Sequence, residues 1–324
     1  MTKLEDLIKF AEENPKLVQI RTDDKGFKTF KYTRKAFFDG LKQPELENLR
    51  GLVVDKNNEL VTLPFPKMYN YGVEEQAPEI GLAEIVVAFK KINGFMCAIS
   101  YYEGELIVST TGTTDSKYAE FARHILRKDL PHIKRVIERH EEKSMYYKGS
   151  YTLLFEIVHS DDPHIIQENV GAYFIGIRYN RFDRLWAFDM YKEASYVDTF
   201  TTLGRYFYTA TEIHPPKFKH YTFSDLLEEV AKVKHEGFVI YAEDNKYTKI
   251  KSPYYLFFKY MARTKSLHDW KNKVNNIFSN HKNEEFKQSI IEYMSNLNMR
   301  DFLELPEQDR LKELRKYSFA GLEG

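Results

Sequence analysis

Apolar positions recur along this chain with two periods, one helical and one alternating, and the changes between them divide the sequence into elements. Leu4, Leu7, Ile8 and Ala11 fall on one side of a short amphipathic helix predicted over residues 2–13. Strands are predicted at 17–22 and 27–32, with Asp23-Asp24-Lys25-Gly26 as the turn between them. Another strand, Leu49 to Asp55, opens on Arg50, and Pro64 and Pro66 keep the next stretch extended, so Lys67 is presented from a loop or an edge. Glu84–Phe89 and Phe95–Tyr102 read as buried strands of one hairpin, with Asn93-Gly94 as its tight turn. Glu103-Gly104 then turns the chain into Glu105–Thr110.

Tyr118, Phe121, Ala122, Ile125 and Leu126 predict helix over 117–142, interrupted at Pro131. Strands follow at 151–158, 173–179 and 185–191, a helix at 224–233, and a hairpin of 236–242 with 247–252. Past Pro253 the period is helical throughout. Ser266-Leu267-His268-Asp269 reads as a capping box ahead of Trp270, Val274, Ile277 and Phe278. Further stripes run through Phe286, Ile290, Met294 and Leu297, then through Leu311, Leu314 and Tyr317. The expected fold class is α+β: a strand-rich domain over 1–255 followed by a small all-α domain over 256–324.

Composition narrows this reading. With 324 residues, 43% hydrophobic and 15% aromatic, the chain has material for a sizeable core and about two domains. Its one cysteine, Cys97, excludes an intramolecular disulfide framework and a multi-cysteine zinc site. The start lacks the order of a secretory signal and no apolar run approaches membrane-spanning length, so a cytoplasmic protein is expected. The 48 basic and 48 acidic residues cancel, so the overall charge does not point to nucleic acid. Between Lys259 and Lys282, however, six basic residues (Lys259, Arg263, Lys265, Lys271, Lys273, Lys282) face one acid, Asp269. That run is either a solvated helix face or a surface for phosphates.

Candidate chemistry starts at Lys91. A lysine leaving an apolar strand, partly desolvated and flanked by cations, can give up its proton and act as a nucleophile. On its own the segment also reads as an ordinary Asn-Gly hairpin. Glu156 stands in an otherwise apolar strand and should have a partner, whether in a structural salt bridge or at a site. Glu236-Gly237 starts a strand with another acid. Lys249 and Lys251, two residues apart on a strand, share a face and suit an anion, or else form an exposed edge pair. His159 and His164 flank Asp161-Asp162 at a spacing that matches no metal motif. Neither a Walker-type loop nor Gly-x-Gly-x-x-Gly occurs, which disfavours P-loop and Rossmann enzymes.

In order, Arg50-Gly51, Lys67, Lys91-x-Asn93-Gly94, Phe155-Glu156-Ile157-Val158, Glu236-Gly237-Phe238-Val239, Lys249-Ile250-Lys251-Ser252 and Tyr255 resemble the covalent nucleotidyltransferases. Within them the sequence is similar to the RNA ligase 1 type of T-even phages. Asn93 departs from the usual aspartate, as it does in the ligase domain of fungal tRNA ligases, and Thr110-Thr111-Gly112 replaces a segment in which the phage enzyme has a further lysine.

The resemblance implies a nucleotidyltransferase domain of ATP-grasp-like antiparallel sheets with flanking helices; the helical tail carries no motif of the family, and RNA binding is expected there from its basic run. The resemblance also implies an ATP-dependent RNA ligase: Lys91 takes AMP from ATP, AMP passes to an RNA 5′-phosphate, and a 3′-hydroxyl displaces it. Lys249 and Lys251 would act on the α-phosphate. Arg50 and Lys67 would hold the outer phosphates, while Tyr69, Asn93, Gly94, Glu156 and Tyr255 would line the nucleotide site, with Tyr173 and Phe174 as further candidates. Glu236 and Glu156 would hold Mg²⁺ or Mn²⁺, Glu156 alternatively the ribose. The partner expected is RNA with 5′-phosphate and 3′-hydroxyl ends, tRNA among the candidates and RNA repair the setting, with no membrane. A DNA ligase, a capping guanylyltransferase and a non-catalytic RNA-binding relative with a decayed ligase fold are the alternatives.

Overall fold

The computed structural model describes residues 3–143, 151–180, 182, 213–214, 217–244 and 246–323. The strand expected at 185–191 lies outside them. In chain order the first elements are α1 (Leu4–Glu13), β1 (Val18–Thr22), β2 (Lys28–Tyr32), α2 (Arg34–Phe38), β3 (Arg50–Val54) and β4 (Leu60–Thr62). Then come β5 (Ile85–Lys90), β6 (Phe95–Tyr102), β7 (Glu105–Thr110), α3 (Lys117–Leu126), α4 (Leu130–Lys143), β8 (Tyr151–Val158), β9 (Gly171–Tyr179) and β10 (Ile213–His214). The remainder is β11 (Phe218–Thr222), α5 (Phe223–Val230), β12 (Gly237–Tyr241), β13 (Tyr247–Lys251), α6 (Pro253–Arg263), α7 (Trp270–Ile277), α8 (Glu284–Asn296), α9 (Met299–Glu304) and α10 (Glu307–Lys316). The fold is α+β, as expected.

Two compact units share these elements: residues 1–67, 94–160 and 169–216 form one, and 68–93, 161–168 and 217–324 the other. The first holds two sheets. β1 to β4 pair antiparallel in chain order, and Leu7, Phe30, Leu46, Leu49 and Leu52 are buried beneath them. The second sheet runs β10-β9-β8-β6-β7, with only the β10–β9 pair parallel. A buried polar chain ties the two. Thr62 Oγ1 donates to Ser100 Oγ (3.0 Å), the Ser100 and Thr152 hydroxyls bond at 3.0 Å, Thr152 Oγ1 donates to Asn180 Oδ1 (2.7 Å), and Asn180 Nδ2 returns to the Val61 carbonyl (2.8 Å). Each member is satisfied by the next, which removes the cost of burying them. Pro131 interrupts the helix expected over 117–142 by starting a new one: as the second residue of α4 its missing N–H costs nothing.

The second unit is built on the antiparallel sheet β11-β5-β12-β13. Here the hairpin expected around Asn93-Gly94 is corrected. β5 pairs with β11 and β12, whereas β6 pairs with β7 and β8, so Lys91–Gly94 links two sheets rather than closing one ribbon. Alternation alone marks both strands as buried but does not name their neighbours.

β13 runs directly into α6. Ser252 caps that helix, its Oγ accepting the Tyr255 N–H at 3.1 Å, and Pro253 takes the first helical position. Helices α6 to α10 close around Phe257, Phe258, Phe286, Ile290, Met294 and Leu314. The division by compactness therefore does not fall at residue 255, because these helices belong to the unit of β5, β12 and β13. The expected capping box at Ser266 is also corrected: Ser266 Oγ accepts the His268 N–H at 3.3 Å, and Asp269, the residue before α7, makes no side-chain cap.

Candidate active site

Lys91 follows the central strand β5, and its backbone N–H donates to the Gly237 carbonyl at 2.9 Å, continuing the register that pairs Lys90 with Phe238. That register carries Lys91 to the start of β12, next to Glu236. Gly237 permits it, since φ is +132° and a Cβ there would lie 2.0 Å from the Ile250 carbonyl oxygen. Lys91 Nζ stands 3.0 Å from Glu236 Oε2. Lys90 takes the other side of the strand and pairs with Glu168 Oε2 at 2.8 Å, so two adjacent lysines have separate carboxylates.

Asn93 completes the arrangement around Glu236. Its Nδ2 donates to the same Oε2 at 2.8 Å, and its Oδ1 accepts the Ile166 N–H at 3.0 Å. Only one orientation of the amide satisfies both bonds. An aspartate could accept from Ile166 but would face Glu236 with a second negative oxygen, so asparagine here serves the carboxylate directly. Glu236 is only 3% exposed. Its other oxygen lies 3.7 Å from Lys251 Nζ. A carboxylate this buried is tolerated because cations and an amide surround it.

Lys251 sits on the same sheet at the end of β13. Burial pulls its ammonium down to about 8; Lys259 and Lys91 push the same way and Glu236 opposes them. Two cations stand near the Tyr255 ring, with Lys251 Nζ 5.0 Å and Lys259 Nζ 5.8 Å from its centroid. Lys259, one turn after Tyr255 on α6, is held below the usual lysine range by burial and then by Arg263. Among the described residues it makes no ion pair. Lys249 is half-buried on the same face as Lys251. Its N–H donates to the Tyr69 carbonyl at 3.1 Å, which fixes the Tyr69–Tyr71 segment along β13.

In the first unit the Gly94 N–H donates to Glu156 Oε1 at 3.1 Å. Gly94 is required by close approach, since a Cβ would come within 2.3 Å of the Ile157 carbonyl oxygen. Glu156 thus has a partner in the Gly94 backbone amide. Arg50 starts β3 in the open, while Lys67 is 2% exposed on an extended loop whose N–H bonds the Glu47 carbonyl at 2.8 Å. Arg178, reaching the Pro64 carbonyl and Asn48 Oδ1, pins that loop. Phe174 is core, and Tyr173 stacks on His214 at 4.4 Å. His159 stacks on Phe121 at 3.8 Å, and among the described residues no group of three or more His, Cys, Asp or Glu could hold a metal.

Of the residues singled out in the sequence, the structure brings Lys91, Glu236 and Lys251 together. Sequence reasoning placed Lys259 only in the basic run, although the four-residue step from Tyr255 on a helix sets it beside that ring, and it did not foresee the Asn93–Glu236 bond, for which sequence carries no signal.

The fold is shared with solved ligases. An archaeal ATP-dependent RNA ligase matches at 14% identity over 96% of this chain and 79% of its own, with a TM-score of 0.58. A putative ATP-dependent DNA ligase from Aquifex aeolicus matches at 15% identity over 95% and 78%, with a TM-score of 0.52. The likeness defines a nucleotidyltransferase fold used by ligases. No curated protein matches in sequence. The family model described as RNA ligase, of the T4 RNA ligase 1 type, matches residues 48–267, more than half of the chain, and the chain belongs to that family.

Proposed function

We propose that this RNA ligase is ATP-dependent and works through a covalent lysyl-AMP on Lys91. The observation that carries the proposal is the convergence of Lys91, Asn93 and Lys251 on the buried carboxylate of Glu236. In the first step Lys91 Nζ, having lost its proton, attacks the α-phosphorus of ATP; an N–P bond forms as the bond to the pyrophosphate oxygen breaks. An oxygen of an RNA 5′-phosphate then takes the AMP, and the N–P bond breaks. Finally a 3′-hydroxyl oxygen attacks that 5′-phosphate, releasing AMP and a proton. These transfers depend on alignment and charge neutralisation more than on acid–base groups.

Lys251, with its ammonium at about 8, is mostly charged at neutral pH and stabilises charge on the transferring phosphate, with Lys249 beside it on the strand. Arg50 and Lys67 hold the outer phosphates and Tyr255 and Tyr69 contact the nucleoside, as the resemblance implies. The residues fit a hydrated divalent ion. Deprotonation of Lys91 removes one counter-charge from Glu236, and an ion that keeps most of its waters needs few protein carboxylates. Mg²⁺ held by Glu236 would neutralise phosphate charge. Glu156, whose Oε1 already holds the Gly94 N–H, serves the ribose or that ion. The basic residues of α6 and α7 contact RNA phosphates.

A non-catalytic relative is argued against by Asn93, whose departure from aspartate supports the carboxylate instead of dismantling it. Incubation with ATP and single-stranded RNA bearing a 5′-phosphate should yield sealed RNA, with GTP or nicked DNA giving little. Sealing of nicked DNA in preference to RNA would overturn the substrate assignment.

A further inference from the structure

A second cationic surface lies in the first unit, on the sheet of β1 to β4. The β1–β2 and β2–β3 registers set Gln19, Lys31 and Arg50 in one cross-strand row. Burial of its stem, and then the charges of Arg50, Arg21 and Arg34, hold the Lys31 ammonium below the usual lysine range. Among the described residues none of Arg21, Lys31, Arg34 and Arg50 makes an ion pair. Like charges gathered without a counter-ion repel one another, and an anion relieves that.

Beside them α2 turns two large apolar side chains to solvent. Phe38 is 80% exposed and Phe37 45%. Their rings meet edge to face at 5.6 Å, and Lys67 Nζ lies 5.7 Å from the Phe37 centroid. The core does not require this, because Ala36 and Leu41 supply the buried contacts of that segment. An open pocket of about 750 Å³ runs along these groups, lined by Gln19, Lys31, Arg34, Phe37 and Phe38 among others.

Unpaired cations beside exposed aromatic faces match what single-stranded nucleic acid offers: phosphates at regular intervals and bases with open π-faces. We infer that the surface formed by Arg21, Lys31, Arg34, Phe37 and Phe38 binds a single-stranded segment of the RNA substrate, with a base stacked on Phe38 and phosphates along the cations. This rests on the proposed RNA-sealing function and adds to it a binding surface beside Arg50 and Lys67, the two residues assigned to the outer phosphates of ATP.

The test is titration of the full chain with a labelled single-stranded RNA carrying a 5′-hydroxyl, which cannot accept AMP, at several salt concentrations. Phe38→Ala is expected to weaken binding about fivefold or more with the salt slope unchanged. Arg34→Gln is expected to weaken it and to flatten the slope of log K against log salt by about one. Both variants should retain the wild-type circular dichroism, since both side chains are exposed. Binding of RNA by both variants like the wild type would overturn the inference. So would a rise in the ATP concentration needed by Arg34→Gln for adduct formation with RNA binding unchanged, which would mark the patch as a seat for the triphosphate. Because the titration needs no adenylation, its outcome is independent of whether Lys91 forms the adduct.

Discussion

Asn93 donates a hydrogen bond of 2.8 Å to Glu236, 143 residues away, through the same oxygen that receives Lys91. The amide satisfies a buried carboxylate without adding charge. Asn93→Asp should therefore place two carboxylates in contact, one of which must keep a proton. The folded state would then hold a proton that the unfolded chain has released, so stability of the variant should fall as pH rises through that raised value. Thermal unfolding at a series of pH values should show a loss on the order of 1–3 kcal/mol near neutrality. A variant as stable as the wild type at neutral pH would contradict the reading of Asn93.

Lys249→Ala and Lys251→Ala should each slow formation of the Lys91 adduct by about a hundredfold, the usual scale for losing one preorganised phosphate contact. The pH profile separates them. Lys251, lowered to about 8, loses its charge as pH rises past that value, so wild-type adenylation should decline above about pH 8. Lys251→Arg should remove the decline while leaving the rate below wild type, because the guanidinium stays charged but has a different shape. Single-turnover rates across pH decide this; an identical decline in Lys251→Arg would assign it to another group.

His281 and His235 are each held at about 4, chiefly by burial, and among the described residues His281 Nδ1 has no hydrogen-bond partner. As pH falls from 6.5 towards 4 the unfolded chain takes up protons that the folded chain refuses. Stability should drop across that window by up to about 3 kcal/mol per ring. His281→Phe should flatten part of the drop in denaturant unfolding followed at pH 7, 5.5 and 4.5. A variant with the wild-type slope would contradict it.

Much of this was legible in the residues. Alternation marked β5, β6, β8 and β12 as buried strands, and the order of Lys91, Glu156, Glu236 and Lys249-x-Lys251 carried the family. Pairing was not legible: Asn93-Gly94 has the chemistry of a hairpin turn, yet Gly94 is needed for close approach to Ile157 and Asn93 for its amide. Long-range polar partners were equally silent, because nothing local to Glu168 or Arg178 marks Lys90 or the Pro64 carbonyl as its contact. The helices past Tyr255 were read correctly as helices, but a stripe of apolar residues does not say which core it enters.

That last point has a consequence for truncation. Ending the chain at Arg263 removes α7 to α10 and uncovers Phe257, Phe258 and Met261, which are buried with Trp270, Phe286 and Leu314. Each such loss costs about 2–5 kcal/mol, and a domain has only about 5–15 kcal/mol in all. The truncated chain should lose cooperative unfolding by circular dichroism and fail to form the adduct. A folded, adenylating truncation would show these helices to be dispensable for the ATP chemistry.

The lysyl-AMP itself is open to direct measurement by intact-protein and peptide mass spectrometry after incubation with ATP and Mg²⁺. One AMP per chain is expected, on Lys91 and not on Lys90, and it should be lost in Lys91→Ala with the fold retained. An adduct mapped to Lys90, or an unmodified wild-type chain, would contradict the mechanism.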